Sequence, residues 1–399
     1  MDLDVERLRR DFPALQQGIA FFDGPGGTQV PRQVAHAVAA AMGSGISNRG
    51  TVTTSEKRAE EVVTQARSAM ADLLGGDPGG VVFARSMTQA TYDLARALAK
   101  QWAPGDEVVV TRLDHDANIR PWVHAAQAAG FEVRWTDFDP TTGEMTLDDV
   151  RAQLSDRTRL VAVTAASNIL GTRPELPAIA HAVHDAGALL YVDGVHLTPH
   201  APVDLRELGA DFYACSPYKF LGPHLGVVAA DPDLLETLQP DKLAPSADQV
   251  PERFELGTLP YELLAGTTAA VDYLAGIASH ADHRRTRLLE SMRAVEAHED
   301  GMFRRLLDGL QELPGVRVFG QPARRTPTAY FTVEGRDDRE VSVRLASAGV
   351  NVPASSFYAL EASRRLGLGD TGALRAGLAP YTNAEDVDRL LAGLAEAIP

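Results

Sequence analysis

Cysteine is nearly missing from this chain of 399 residues: Cys215 is the only one. A lone thiol cannot close an internal disulfide, and a reducing cytoplasm fits that usage. A basic surplus is missing as well. Lysine and arginine number 38 against 54 acidic residues, a formal net charge of −16. The acidic excess is spread along the chain, which argues against a nucleic-acid surface and for solubility. No apolar run is long enough to span a membrane. Met1 to Arg10 alternates acids and bases without the apolar core of a signal peptide. There is no repeat and no low-complexity tract. Asp23-Gly-Pro-Gly-Gly-Thr28 lets backbone approach a ligand closely, or merely turns the chain. It matches neither GxGxxG nor P-loop spacing. His181 with His184, and His196 with His200, have helix-like spacing but no third ligand cluster, so no metal is expected.

What is present is α/β alternation. The length favours two domains with sizeable cores. Strands are expected at 19–22, 81–84, 107–111, 131–136, 160–164, 188–192, 211–215 and 226–230, with helical stretches between most of them. That pattern indicates βαβ units and a mainly parallel sheet. Beyond residue 231 the chain becomes loop-rich, then gives helices at 261–278 and about 283–313. Strands at 316–319, 329–333 and 374–378 follow, with helices near 338–348 and 384–397, a smaller α+β unit. Boundaries at 15–265 for the large domain, and 1–14 plus 266–399 for the small one, follow from this change. Ser55 is the expected N-cap of a helix reaching Leu74.

Two stretches carry the chemistry. Asp211 to Cys215 reads as a buried strand that turns through Ser216, Pro217 and Tyr218 to Lys219. Burial penalises an ammonium, lowers its pKa and frees an amine to attack a carbonyl. A solvated surface lysine is the plain alternative. Asp193 ends the apolar strand Ala188–Val192, where ligands of open α/β sheets bind. It is equally a turn residue before Gly194. Pyridoxal phosphate needs such a pair, a lysine for its aldehyde and an acid for its ring nitrogen. The turn Ser86-Met87-Thr88 ends a strand and opens a helix. Its amides, the helix dipole and the Thr88 hydroxyl suit a phosphate, and an ordinary cap suits the same residues.

These motifs, in this order over residues 19–395, resemble the class V (fold type I) pyridoxal-phosphate enzymes, and among them the cysteine desulfurase-like proteins. The resemblance implies a mainly parallel seven-stranded sheet in the large domain. It also implies catalytic roles for Lys219, Asp193 and His115. His115, in Asp114-His-Asp-Ala-Asn118, matches the histidine that stacks on the cofactor ring. Asn168 matches the asparagine on the phenolic oxygen, and His196 stands where relatives carry glutamine near that oxygen. Ser216 and Tyr218 fall among the phosphate ligands, Tyr218 replacing a more usual histidine. Gly257 and Thr258 resemble the segment that reaches the neighbouring subunit's phosphate, which implies a homodimer. Arg375 matches the substrate-carboxylate arginine. Asn48 and Arg49 match a loop bordering the substrate pocket, which Pro25, Gly26, Ser356 and Tyr358 are also expected to line.

One departure stands out. Desulfurases of this family carry a nucleophilic cysteine on a loop shortly before that arginine. The matching stretch, Gly349 to Leu360, has none, and Tyr358 falls about where the thiol would be. Cys215 reads as a small core residue. Without a mobile thiolate no enzyme persulfide forms. The expected chemistry is Cα deprotonation followed by elimination of a Cβ–S or similar Cβ–X bond from a cysteine-derived substrate. Transamination and epimerisation are the alternatives left open.

Overall fold

The computed structural model describes residues 3–398. Seven strands form one sheet: β2 (Val81–Ala84), β3 (Glu107–Thr111), β4 (Glu132–Thr136), β5 (Thr158–Thr164), β6 (Leu189–Asp193), β7 (Phe212–Cys215) and β8 (Gly226–Ala230), in the order β2-β8-β7-β6-β5-β3-β4; β1 (Ala20–Phe21) precedes them and lies outside this sheet. Neighbours from β7 through β4 run parallel, whereas β8 is antiparallel to both β2 and β7. Strands β3, β7 and β8 are buried along their whole length. That burial is why they read as continuous apolar runs rather than alternating ones. Helices cover both faces, and two apolar clusters fill the spaces between sheet and helices.

A second sheet holds β9 (Val316–Phe319), β10 (Thr328–Val333), β12 (Ala354–Ser355) and β13 (Ala373–Gly377), in the order β12-β13-β10-β9 and wholly antiparallel. β1 pairs in parallel with β11 (Val350–Asn351), which ties the N-terminal segment to this half of the molecule. A third apolar cluster packs the helices Asp338–Ser347 and Ala384–Ala397 against the second sheet. The 29-residue helix Arg284–Glu312 contributes Leu288, Met292 and Val295 to the first cluster, and Phe303, Leu306 and Leu310 to the third.

Strands 81–84, 107–111, 226–230 and 316–319 fall where the sequence places them, and the other expected strands shift by one or two residues. One cap differs. Thr53, not Ser55, starts the helix Thr54–Leu74, because Glu56 completes a reciprocal capping box with Thr53. The short strands β11 and β12 and the helix Leu360–Arg365 lie in a stretch for which no element is expected from the sequence.

Candidate active site

The carboxyl ends of the parallel strands converge on a cavity of about 770 Å³. Asp193 is the last residue of β6 and is buried, and its Oδ1 accepts the Val195 amide at 2.9 Å. Burial raises its pKa to about 7, opposed by that amide and by the charge of Lys219. Lys219 follows β7 on the turn Pro217–Lys219. Its Nζ donates to the carbonyl of Pro25 and lies 4.8 Å from the Tyr218 ring centre. Burial, reinforced by Arg375, lowers its pKa to about 7, against the pull of Asp193. Both groups that the sequence pairs therefore face one cavity, and each is shifted towards neutrality chiefly by loss of solvent.

His115 lines the same cavity just past β3. Its Nδ1 accepts the Ala117 amide at 3.0 Å, which leaves the neutral-ring proton on Nε2. Burial, with Lys219 and Arg375 nearby, depresses its pKa to about 3, so the ring is uncharged. Behind it Asp114 accepts from Thr111 and from Asn118 Nδ2, the latter at 2.7 Å. Burial lifts Asp114 to about 8. At neutral pH Asp114 is thus mostly protonated and adds little negative charge beside Asp193.

The phosphate-like end is built on the helix Met87–Ala99. Ser86 caps it, its Oγ accepting the Gln89 amide at 3.1 Å. The amides of Met87 and Thr88, in the first turn, have no carbonyl partner within the helix. Gly226 on β8 permits this placement. A Cβ there would lie 2.1 Å from the Ser86 carbonyl carbon and 2.2 Å from the Met87 nitrogen. Ser216 and Tyr218 also line the cavity, with Tyr218 stacked on His224 at 4.6 Å and 12°.

The other end comes from the second sheet. Arg375 on β13 is 3% exposed. Its Nη1 donates to the Asn168 carbonyl at 3.1 Å, and its Cζ lies 3.7 Å from the centre of the Phe357 ring. Its buried Nε has no partner, and it forms no ion pair with a carboxylate among the described residues. Burial lowers its pKa to about 9, opposed by Tyr330 and Asp23. A buried guanidinium with an open edge is costly without an anion. Asn168 donates Nδ2 to the Phe357 carbonyl at 2.9 Å, while its buried Oδ1 is unpartnered. His196 lines the cavity, with its Nε2 3.0 Å from Thr328 Oγ1. Pro25 and Gly26 reach Arg375 because Gly377 leaves room: a Cβ there would sit 2.1 Å from Pro25 Cγ.

Tyr358 lines the mouth, 76% exposed, its ring 5.4 Å from that of His115. Ser355 and Phe357 line the cavity beside it, whereas Ser356 between them does not. Asn48, Arg49, Gly257 and Thr258 lie off the cavity wall. Arg49 is held by Glu60 at 2.8 Å and by Glu252 at 2.9 Å, which leaves its guanidinium little capacity for a ligand. Thr258 borders a separate groove with Arg85 and His224.

Sequence reasoning missed Tyr92, Arg120, His124 and Phe357, all on the wall. Tyr92 and Arg120 carried a signal. Tyr92 follows Thr88 by four residues and Arg120 follows Asp116 by four, spacings that share one helical face. Phe357 carried none, because its ring reaches Arg375 only through the shape of its loop.

Pyridoxal phosphate-dependent class-V aminotransferases are the class that this sheet, lysine and carboxylate define, and residues 20–390 match the aminotransferase class-V family, to which the chain belongs. It is 37% identical to an uncharacterized protein of Mycobacterium tuberculosis, over 99% of both chains. It is 30% identical to a cysteine desulfurase of Klebsiella pneumoniae subsp. pneumoniae, covering 99% of this chain and 98% of that one. Among solved structures, the cysteine desulfurase CsdA of Escherichia coli superposes with a TM-score of 0.88 at 26% identity, covering 100% of this chain and 99% of that one.

Proposed function

We propose that this protein is a pyridoxal-phosphate-dependent lyase that cleaves the Cβ–S bond, or a similar Cβ–X bond, of a cysteine-derived amino acid without an enzyme thiol. The observation that carries the proposal is the segment Ala354–Tyr358. It borders the substrate end of the cavity and offers Tyr358, not a thiol, to the mouth. Cys215, fully buried in β7, is no substitute. Burial pushes its pKa well up, and it packs within the main apolar cluster.

The residues present fit the cofactor. The unpartnered Oδ1 of Asn168 and the open amides of Met87 and Thr88 each lack a polar complement that it has, and the buried Asp193 has the Val195 amide on one oxygen and faces the cavity. Lys219 would hold its aldehyde, Asp193 its ring nitrogen and His115 its ring face. Asn168 and His196 would hold the phenolic oxygen. Ser86, Met87, Thr88, Ser216 and Tyr218 would hold the phosphate, with Gly257 and Thr258 of a second copy completing it in a homodimer. When bound, pyridoxal phosphate supplies an aldehyde for the substrate amine and a protonated ring that accepts the electron pair released at Cα.

The chain's own groups then act in sequence. The open edge of Arg375 holds the substrate α-carboxylate, a planar fork meeting a planar anion. Phe357 and the Asn168 carbonyl fix that guanidinium beforehand. The neutral Nζ of Lys219 takes the Cα proton. The electron pair left behind expels sulfur from Cβ as a thiolate, and hydrolysis of the remaining fragment yields pyruvate and ammonia.

Incubating purified protein with cysteine, cysteine sulfinate and S-conjugated cysteines tests this. Pyruvate forming together with sulfide from cysteine, or with the thiol released from an S-conjugate, is the expected result. Keto acid formed only when an acceptor is supplied would make it a transaminase. Deuterium incorporation at Cα with loss of optical purity would make it an epimerase.

A further inference from the structure

The charges around the cavity are not equally available. Among the described residues three lysine or arginine side chains line it: Lys219, Arg375 and Arg120. Lys219 serves the cofactor aldehyde in the proposed function, and Arg375 has its open edge for the α-carboxylate. Arg120 is already engaged. Its Nε lies 2.9 Å from Asp116 Oδ1, and its Nη2 lies 2.5 Å from Glu361 Oε1. Glu361 also meets Arg112 at 3.4 Å and sits on the helix Leu360–Arg365, directly after the Tyr358 loop. A second anionic group on a substrate would meet an arginine matched by two carboxylates, with both carboxylates beside it. Like charges at that range disfavour binding.

The rest of this wall is flat and aromatic. Tyr92 and His124 stack with ring centres 5.9 Å apart at 29°, and the Tyr92 hydroxyl lies 3.1 Å from His124 Nδ1. The Tyr358 ring lies 5.4 Å from that of His115, tilted to it by 36°. Small-molecule pockets span roughly 300–1,000 Å³. This cavity, about 770 Å³, takes both the cofactor and the substrate in the proposed function.

We infer that the part of the cavity bounded by Tyr92, Arg120, His124 and Tyr358 is a side-chain subsite for an uncharged, extended group. The substrate class is then the neutral S-conjugates of cysteine, thioethers with an aryl or alkyl tail, rather than a second acid such as a sulfinate or a β-carboxylate. The inference rests on the proposed role of Arg375 as the α-carboxylate clamp. The tail lies along the aromatic faces, and the Asp116–Arg120–Glu361 cluster turns acidic side chains away.

The test uses the holoprotein, titrated with S-benzyl-L-cysteine, S-methyl-L-cysteine, L-cysteine sulfinate and L-aspartate, with affinity read from the absorbance of the bound cofactor. S-benzyl-L-cysteine is expected to bind at least tenfold more tightly than either acid. Glu361→Gln and Asp116→Asn each remove one of the carboxylates that occupy Arg120. Each is expected to narrow that ratio severalfold by improving binding of the acids. Sulfinate binding as tightly as the benzyl conjugate would overturn the inference, as would a ratio unmoved in both variants. Arg375→Gln separates the two levels. If it leaves all four affinities unchanged, the clamp itself fails and the inference with it. If it weakens all four while the unmodified protein shows no preference, the inference alone fails.

Discussion

Lys219 and Arg375 share one cavity, both cationic in water and both stripped of solvent; burial lowers the pKa of each, and the charge of Arg375 lowers that of Lys219 further. For Lys219 the sign follows directly. A pKa lowered to about 7 leaves an ammonium below that pH and a free amine above it. The rate at which apoprotein captures pyridoxal phosphate should therefore rise through about pH 7 and level off above it. Stopped-flow absorbance would show this, and a rise centred near the usual lysine pKa would contradict it. Lys219→Ala should abolish both the lysine-bound cofactor band and turnover. Replacing the buried Arg375 by glutamine removes a charge-assisted hydrogen-bonding edge worth about 1.5–3 kcal/mol. The KM for the amino acid should rise roughly tenfold to a hundredfold, since about 1.4 kcal/mol is a factor of ten. The sequence made Lys219 visible because a lysine just past a buried strand stands out against apolar neighbours, whereas Arg375, mid-strand on β13, was visible only through its match to the family's carboxylate arginine. It did not make Phe357 visible. Phe357 and Tyr358 both adopt left-handed backbone angles, φ 51° and 58°, which no local pattern announces.

At the scale of elements, β8 and the helix Met87–Ala99 depend on each other. Gly226 lets the strand pass against the first turn of that helix, where the phosphate ligands are expected. Gly226→Ala should push the turn outward. Overpacking of this kind costs about 1–3 kcal/mol. The expected outcome is a lower melting temperature together with weaker cofactor retention, measured by thermal unfolding and equilibrium dialysis. The strands were legible because each parallel strand is a short apolar run bounded by polar turns. The helix start at Thr53 was misplaced because Ser55 is also a good cap, and only the reach of Glu56 back to the Thr53 amide decides between them. Strands β11 and β12 were not legible. At two residues each they carry no periodicity, and pairing with β1 and β13 defines them.

Across the whole molecule, a polar network fastens the helix Thr54–Leu74 to the segment at 252–255. Arg67 pairs with Glu255 at 2.8 Å, both nearly unexposed, and Glu255 also accepts the Phe83 amide at 2.9 Å. Arg49, Glu60 and Glu252 extend it towards the surface. Breaking one side of a buried pair typically costs about 3–5 kcal/mol, because the remaining charge is stranded. Arg67→Ala should lower stability by that order in chemical denaturation. A loss below 1 kcal/mol would show the pair to be dispensable. Arg49 illustrates what a sequence hides. A polar loop arginine matched a pocket position by its place in the chain; in this chain it lies off the cavity wall, paired with Glu60 in the next helix and with Glu252 from a distant segment.

The loop that carries Phe357 and Tyr358 is pinned through its backbone. The Tyr358 carbonyl accepts the Asp116 amide at 2.7 Å, and the Phe357 carbonyl accepts Asn168 Nδ2. Neither bond involves the side chain at position 358. The residue presented to the mouth can therefore be exchanged while its mounting stays in place. A change of reaction within this scaffold asks for a new fitting on an old bracket.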